Sequence, residues 1–442
     1  MERNGGRAGL AVLAAILLLG LGLRVDRAWE GRPPVYDAVA YGRIAVNLER
    51  DEGFTLGHAA TQPAGNYSPG LPLLVAGLYE IAGGPDERFA RVVLALLGTL
   101  AVLFTYLIGR RLGGPAAGLV GAGAIAIYPA LLEYQGMLMS EPLATSLLSG
   151  AVLSMLWAAD RRRHLAWLLP GALLGATAMT RPEYLAIAFP LAVVVFARGG
   201  RARWRPSLAQ AALLLAGLLL VLSPWTIRNA IALHRFVPIS TGGGQVLFAG
   251  AYLPSGGDPQ RVGQEVLERH PGLRRALAAK YIPSGNRSLE AVLARVRLEQ
   301  ILAALAAQRY PRLESDRALA RMGRERLWDD ITQEPLPYAG FVGAKLARIW
   351  WHGAREVMEK PVWEMLHWAL LALGLVGLVV LARQRRWEAI LLAVLVTAVT
   401  AVGVLLVASP RRLLVALPEV AALAGVGATW LAVRLSSQRH AR

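Results

Sequence analysis

Two carboxylates stand where an ionisable group needs a reason to be. Asp37 lies in the run YDAVAY at 36–41, just beyond the first apolar stretch, and Glu141 opens a later one in the turn Ser140-Glu141-Pro142. A carboxylate in a partly desolvated site at a membrane face gains basicity and can accept the proton of a hydroxyl. Asp37 is the candidate base, and Glu141 the candidate that orients the acceptor or helps to hold a metal. Arg181, in the TRPE run at 180–183, and the pair Arg411-Arg412 sit at similar boundaries. A guanidinium there can grip a phosphate bidentately and stabilise the charge that grows on a leaving group. Base, acceptor-side carboxylate and phosphate grip are the parts of a transfer from a phosphate-linked donor to a hydroxyl.

Each residue also has a plainer reading, which stays open beside the chemical one. Asp37 caps a surface helix, Glu141 compensates the dipole at the first turn of its span, and Arg181 snorkels beside Glu183. Arg411 and Arg412 touch anionic lipid. Arg228 and Asn229, directly after Pro224-Trp225, either line a sugar pocket or belong with the interfacial tryptophan. Tyr36, Tyr41 and Tyr67 pack on sugar rings or form part of an aromatic belt. A divalent metal on Asp37 and Glu141, with Glu80 or His58 added, is one expectation; metal independence is the other, because hard cations want several oxygen ligands. The glycine run Gly242, Gly243, Gly244 lacks the Lys-Ser/Thr that would follow in a nucleotide loop.

The elements that must position these groups are membrane spans. The 442 residues are 55% hydrophobic and only 17% charged, which excludes an ordinary soluble protein. Cysteine is absent, and with it disulfides, thiolate metal sites and a cysteine nucleophile. At roughly 20 apolar residues per crossing, spans are expected near 9–25, 89–109, 115–132, 142–158, 164–180, 183–197, 207–223, 363–382, 387–408 and 413–433. The first is read as an uncleaved anchor. The formal net charge of +17 could suggest nucleic acid, but the arginine clusters in alternate short loops read as membrane orientation, with both termini cytoplasmic. Arg181, Arg411 and Arg412 dissent from that pattern on the outer side. Between the first spans, 36–48 reads as an interfacial helix with Asp37, Tyr41, Ile44 and Leu48 on one face, and 71–81 as a second. The segment 288–328 reads as helical within an outer region.

These positions resemble the membrane-embedded GT-C glycosyltransferases of the dolichyl-phosphate-mannose protein mannosyltransferase and aminoarabinose transferase type. The resemblance rests on Asp37 in YDAVAYGRIAVNL, on NYSPGLPLLVAGLYEIAG, on the Ser140-Glu141-Pro142 and Thr180-Arg181-Pro182-Glu183 turns, on PWTIRNAIALHRFVPISTGGG and on RRLLVALP. It implies an all-α polytopic membrane protein of the GT-C fold, with about ten transmembrane helices. Its expected parts are an N-terminal membrane module (1–223) with a catalytic first outer loop (24–88), an extracytoplasmic helical region (224–362) and C-terminal spans (363–442). It further implies an inverting transferase that takes one sugar from a polyprenyl-phosphate carrier to a lipid, glycan or protein acceptor, with the catalytic aspartate falling on Asp37. Arg411-Arg412 departs from the Arg-Tyr that such relatives often carry. The expected location is the plasma membrane of a prokaryote, with the active site extracytoplasmic. A transporter or flippase of lipid-linked sugar, or an inactive scaffold, is the alternative; the gathering of charge at one face, away from the midplane, favours the enzyme.

Overall fold

The computed structural model describes residues 2–35, 37–57, 63–282, 287–351 and 353–440. Tyr36 and His58, both named above, lie outside them. Among the described residues the chain is helical, without a strand; one isolated bridge joins Thr55 and Pro63. The first half comprises α1 (Glu2–Glu30), α2 (Asp37–Glu49), α3 (Gly70–Ala82), α4 (Glu87–Gly113), α5 (Pro115–Ile127), α6 (Pro129–Glu133), α7 (Glu141–Ala159), α8 (Leu168–Thr180), α9 (Leu185–Ala197) and α10 (Trp204–Ala232). Seven shorter helices follow: α11 (Gly243–Ala251), α12 (Val262–Arg269), α13 (Pro271–Tyr281), α14 (Leu289–Arg295), α15 (Leu298–Arg309), α16 (Ser315–Gln333) and α17 (Pro335–Trp350). The chain closes with α18 (Pro361–Arg383), α19 (Trp387–Leu405) and α20 (Pro410–His440).

Among the described residues, seven helices are long and apolar enough to cross a membrane, or eight if the pair Pro115–Ile127 and Pro129–Gly136, bent by 49°, is one span. The other two expected spans are shorter. Each holds an α-helix of 13 residues, about 20 Å long against a hydrocarbon core of roughly 30 Å. A 3-10 turn extends each at its start, His164–Trp167 before α8 and Pro182–Tyr184 before α9.

Contacts between helix ends define two faces. One face is rich in arginine. There Arg111 at the end of α4 meets Asp160 at the end of α7 (2.9 Å), and Arg386 after α18 donates to the Leu112 carbonyl (2.7 Å). Arg198 after α9 lies over Trp167 before α8 and Trp387 at the start of α19. At the opposite face, which we call the carboxylate face, Arg91 at the start of α4 donates to Ala28 near the end of α1 (2.9 Å). There too the Tyr184 hydroxyl before α9 donates to the Arg412 carbonyl at the start of α20 (2.7 Å).

Small residues let these helices approach closely. A Cβ placed on Gly171 of α8 would run into the Leu214 carbonyl of α10, and one on Gly217 of α10 into the Leu168 carbonyl of α8. The same occurs where α20 crosses α5 and α18, at Gly425 against Ala117 and Gly427 against Leu373. The interfacial helices appear as expected: in α2, Tyr41 and Ile44 are buried, and α3 ends on Gly83 in the left-handed conformation (φ 79°).

Residues 241–351 and 400–410 form a second compact unit, and the remainder the first. The membrane module thus continues through α10 and a return to Ser240. Within the second unit, Phe248, Val266, Leu302 and Leu319 are core, and the buried Lys345 ammonium donates to the Gly250 (2.6 Å) and Leu406 (2.7 Å) carbonyls, which ties 400–410 into it. The glycine run has a packing role: the Asp316 carboxylate caps the start of α11, accepting from Gly244 N (2.9 Å) and Gln245 N (3.3 Å).

Overpacking at a backbone-to-backbone crossing costs about 1–3 kcal/mol or more. Gly217→Leu is therefore expected to lower the melting temperature and monodispersity of the detergent-purified protein. Gly9→Leu, at a position with no atom within 4 Å of the added Cβ, is expected to leave both unchanged.

Candidate active site

At the carboxylate face three elements deliver charge to one place. Asp37 is the first residue of α2, Glu141 the first of α7, and Arg411 the second of α20. Arg181 occupies the extended residue between α8 and the turn that opens α9, where Pro182 ends one helix and starts the next. Helices that begin in Glu141-Pro142 and Pro410-Arg411 place a carboxylate and a guanidinium on facing first turns.

The hydrogen bonds make a chain. Arg411 uses Nε on Glu141 Oε1 and its terminal nitrogen on Asp37 Oδ2 at 3.1 Å. Arg181 donates to Glu141 Oε1 (2.9 Å) and, through Nε and its other terminal nitrogen, to Glu183 Oε1 at 3.0 and 2.8 Å. Arg412 stands 3.6 Å from Glu183. Three carboxylates and three guanidiniums therefore balance. Their exposure differs: Glu141 is fully buried, Arg411 is 26% exposed and Asp37 is 41% exposed. Glu141 Oε2 has no hydrogen-bond partner among the described residues. Burial alone would favour neutral Arg181, but the Glu183 and Glu141 carboxylates outweigh it and hold the guanidinium charged, well above the ordinary arginine range.

Aromatic rings border the cluster. Arg411 lies over the Tyr134 ring at 5.5 Å, as does Arg355, which is fixed by Glu133 at 2.7 Å. Tyr41 is buried next to Asp37, and burial followed by that carboxylate pushes its phenol upward. Tyr41 and Tyr67 make an edge contact with centroids 6.0 Å apart.

The structure thus gathers Asp37, Glu141, Arg181, Arg411 and Arg412, with Tyr41 and Tyr67 alongside. It gives Arg228 and Asn229 different company. Arg228 lies over Phe54 and Trp225, and the buried Asn229 amide donates to the Val237 (3.1 Å) and Ile239 (2.9 Å) carbonyls, closing the return after α10. Among the described residues no three His, Asp or Glu converge, and Asp37 and Glu141 share one guanidinium; His58, one of the expected metal ligands, lies outside the described residues.

Sequence reasoning does not single out Glu183, Tyr134 or Arg355 as members of the site. Glu183 is legible, two residues from Arg181. Tyr134 is not, because it sits in the bent continuation of α5 and α6. Glu419, fully buried in α20 beside Ser149, also escapes notice, although a lone carboxylate within an apolar span is a signal in itself. A separate cavity of about 630 Å³ in the second unit, bordered by Tyr252, Glu325, Arg326 and Asp330, shares no residue with the cluster.

With this geometry in view, comparison with known proteins defines the class. Residues 64–227 match the family model described as dolichyl-phosphate-mannose-protein mannosyltransferase, a stretch containing Glu141, Arg181 and Glu183 but neither Asp37 nor Arg411. The archaeal oligosaccharyltransferase AglB from Archaeoglobus fulgidus, solved with an inhibitory peptide and a dolichol-phosphate, is similar at a TM-score of 0.58 and 15% identity over 98% of this chain and 51% of AglB. The complex of the same archaeal enzyme with Zn and sulfate gives 0.56 at 15% identity, over 96% and 49%. ArnT from Cupriavidus metallidurans, bound to undecaprenyl phosphate, gives 0.43 at 15% identity over 95% and 77%. No curated protein sequence matches. The chain is a polytopic membrane protein with the GT-C glycosyltransferase fold, and it spans about half the length of AglB.

Removing one member of a buried ion pair costs about 3–5 kcal/mol, whereas an exposed pair is worth about 0–1 kcal/mol. Glu141→Ala is accordingly expected to lower the melting temperature sharply and Asp37→Ala to leave it nearly unchanged. Equal melting of Glu141→Ala and the parent would show that Glu141 is not held between the two arginines.

Proposed function

We propose that this chain is an inverting glycosyltransferase that moves one sugar from a polyprenyl-phosphate carrier to an acceptor hydroxyl at the carboxylate face. The observation that carries the reading is Arg411, shared between a fully buried carboxylate and the most exposed member of the cluster. A charge-balanced site that receives the singly charged phosphodiester of a polyprenyl-phosphate sugar holds excess negative charge. The carboxylate that yields is Asp37, the one nearest water and held by a single contact of 3.1 Å. Phosphate on Arg411 frees Asp37 to accept a proton.

The reaction then balances. The acceptor oxygen attacks the anomeric carbon from the side opposite the carrier, the bond from that carbon to the phosphate oxygen breaks, and the electron pair leaves with polyprenyl phosphate. The acceptor proton goes to Asp37. Arg411, and Arg181 behind it, stabilise the departing phosphate, while Glu141 fixes both guanidiniums. Tyr41 and Tyr67 offer ring edges to the sugar. The dolichol-phosphate in the AglB structure supports a lipid-linked donor. The arginine-rich face and both termini are assigned to the cytoplasm by the positive-inside rule, which makes the carboxylate face extracytoplasmic in a prokaryotic plasma membrane.

The test is release of polyprenyl phosphate from a panel of polyprenyl-phosphate sugars by purified protein, with candidate acceptors present. Loss of a positioned base costs on the order of 10²–10⁴-fold. Asp37→Asn is expected to lose that much turnover with the fold intact. Full turnover by Asp37→Asn would remove the base assignment.

A further inference from the structure

A groove of about 710 Å³ lies at the arginine-rich face between α4, α7 and α8, far along α7 from Glu141. Its walls are apolar: Phe104 and Leu107 of α4, Leu153 and Trp157 of α7, Leu169 and Leu173 of α8. Trp157 and Leu169 are exposed, so the groove opens sideways toward the space that lipid fills. Its floor is Gly150, where a Cβ would meet the Phe104 ring at 3.2 Å and Leu173 at 3.6 Å. Its mouth carries Arg110, Arg111 and Asp160, and Arg161, Arg162 and Arg163 follow Asp160 directly in the chain. Asp160 neutralises Arg111 through two contacts, and Arg110 is exposed.

Depth and charge identify the occupant. From Gly150 to Asp160 the groove follows about 15 Å of helix at 1.5 Å per residue, half of a roughly 30 Å hydrocarbon core. That is one leaflet: the arginines stand at headgroup level and the glycine floor near the midplane. The volume falls in the range of about 300–1,000 Å³ found for ligand pockets. We infer that this groove is a binding site for one anionic phospholipid of the arginine-rich leaflet, its acyl chain against Gly150 and its phosphate on Arg110. The site is independent of the transfer chemistry at the other face.

The full-length protein, stripped of lipid in detergent, would be titrated with palmitoyl-oleoyl phosphatidylglycerol and, separately, with phosphatidylcholine of the same chains, and bound lipid counted by native mass spectrometry. One equivalent of phosphatidylglycerol is expected to bind about fivefold more tightly than phosphatidylcholine, the preference that one basic residue near an anionic headgroup supplies. Arg110→Gln should remove the preference, Gly150→Leu should abolish binding of both lipids, and Arg201→Gln, an exposed arginine outside the groove, should change nothing. If Gly150→Leu melts early, Ser154→Leu fills the same groove. Equal binding of the two lipids, a preference that survives Arg110→Gln, or tighter capture of undecaprenyl phosphate than of phosphatidylglycerol would each overturn the assignment.

Discussion

A fully buried glutamate between two arginines is the constraint on which the candidate site depends. Taking Glu141 and its partners out of water costs several kcal/mol per ion, and only good geometry with further hydrogen bonds offsets it. The fold supplies that geometry by starting α7 and α20 side by side and by breaking the chain at Arg181-Pro182. Arginine suits both positions. Its planar fork binds one carboxylate with one edge and leaves another for a second anion, which a lysine point charge cannot do. Such a pair is weak evidence for stability but strong evidence for fixed orientation, and orientation is what a phosphate grip needs.

The ring of charge is graded. Its inner members, Glu141 and Arg181, are locked by each other and by Glu183, while Asp37 at the rim is the most exposed and leans on Arg411. An anion arriving at Arg411 displaces the member with least to lose. In the proposed reaction, donor arrival is thereby coupled to release of the base: Asp37 is engaged when the site is empty and free when a phosphate is present. The aromatic layer of Tyr134, with Arg411 and Arg355 over it, adds a polarisable wall on which the guanidinium can shift without losing all contact.

Much of this is legible in the chain. Each of the ten apolar segments corresponds to a helical segment, because hydropathy and the need to satisfy backbone groups in lipid leave little choice. Asp37, Glu141, Arg181 and Arg411 can be grouped from the amino-acid sequence alone, the carboxylates as ionisable groups beside spans and the arginines as basic residues on the side where the arginine pattern disfavours them. Which charges pair is not legible: the contact between residues 37 and 411 is fixed by helix packing, and sequence separation conceals it. Arg228 and Asn229 show the limit of proximity to a motif, since local hydrogen bonds to Val237 and Ile239 account for the asparagine. The short α8 and α9 read as full spans because periodicity does not register the turns at Trp167 and Arg181-Pro182 that shorten them.

The most direct test of the displacement account is the affinity of undecaprenyl phosphate for the protein in phosphatidylcholine nanodiscs, measured for the parent, Arg411→Gln and Asp37→Asn. The account predicts that Arg411→Gln weakens binding at least about tenfold, as loss of a charge-assisted contact of about 1.5–3 kcal/mol requires, and that Asp37→Asn binds as tightly as the parent or more so, because the competing carboxylate is gone. Binding that is indifferent to Arg411, or that falls when Asp37 is neutralised, would contradict it.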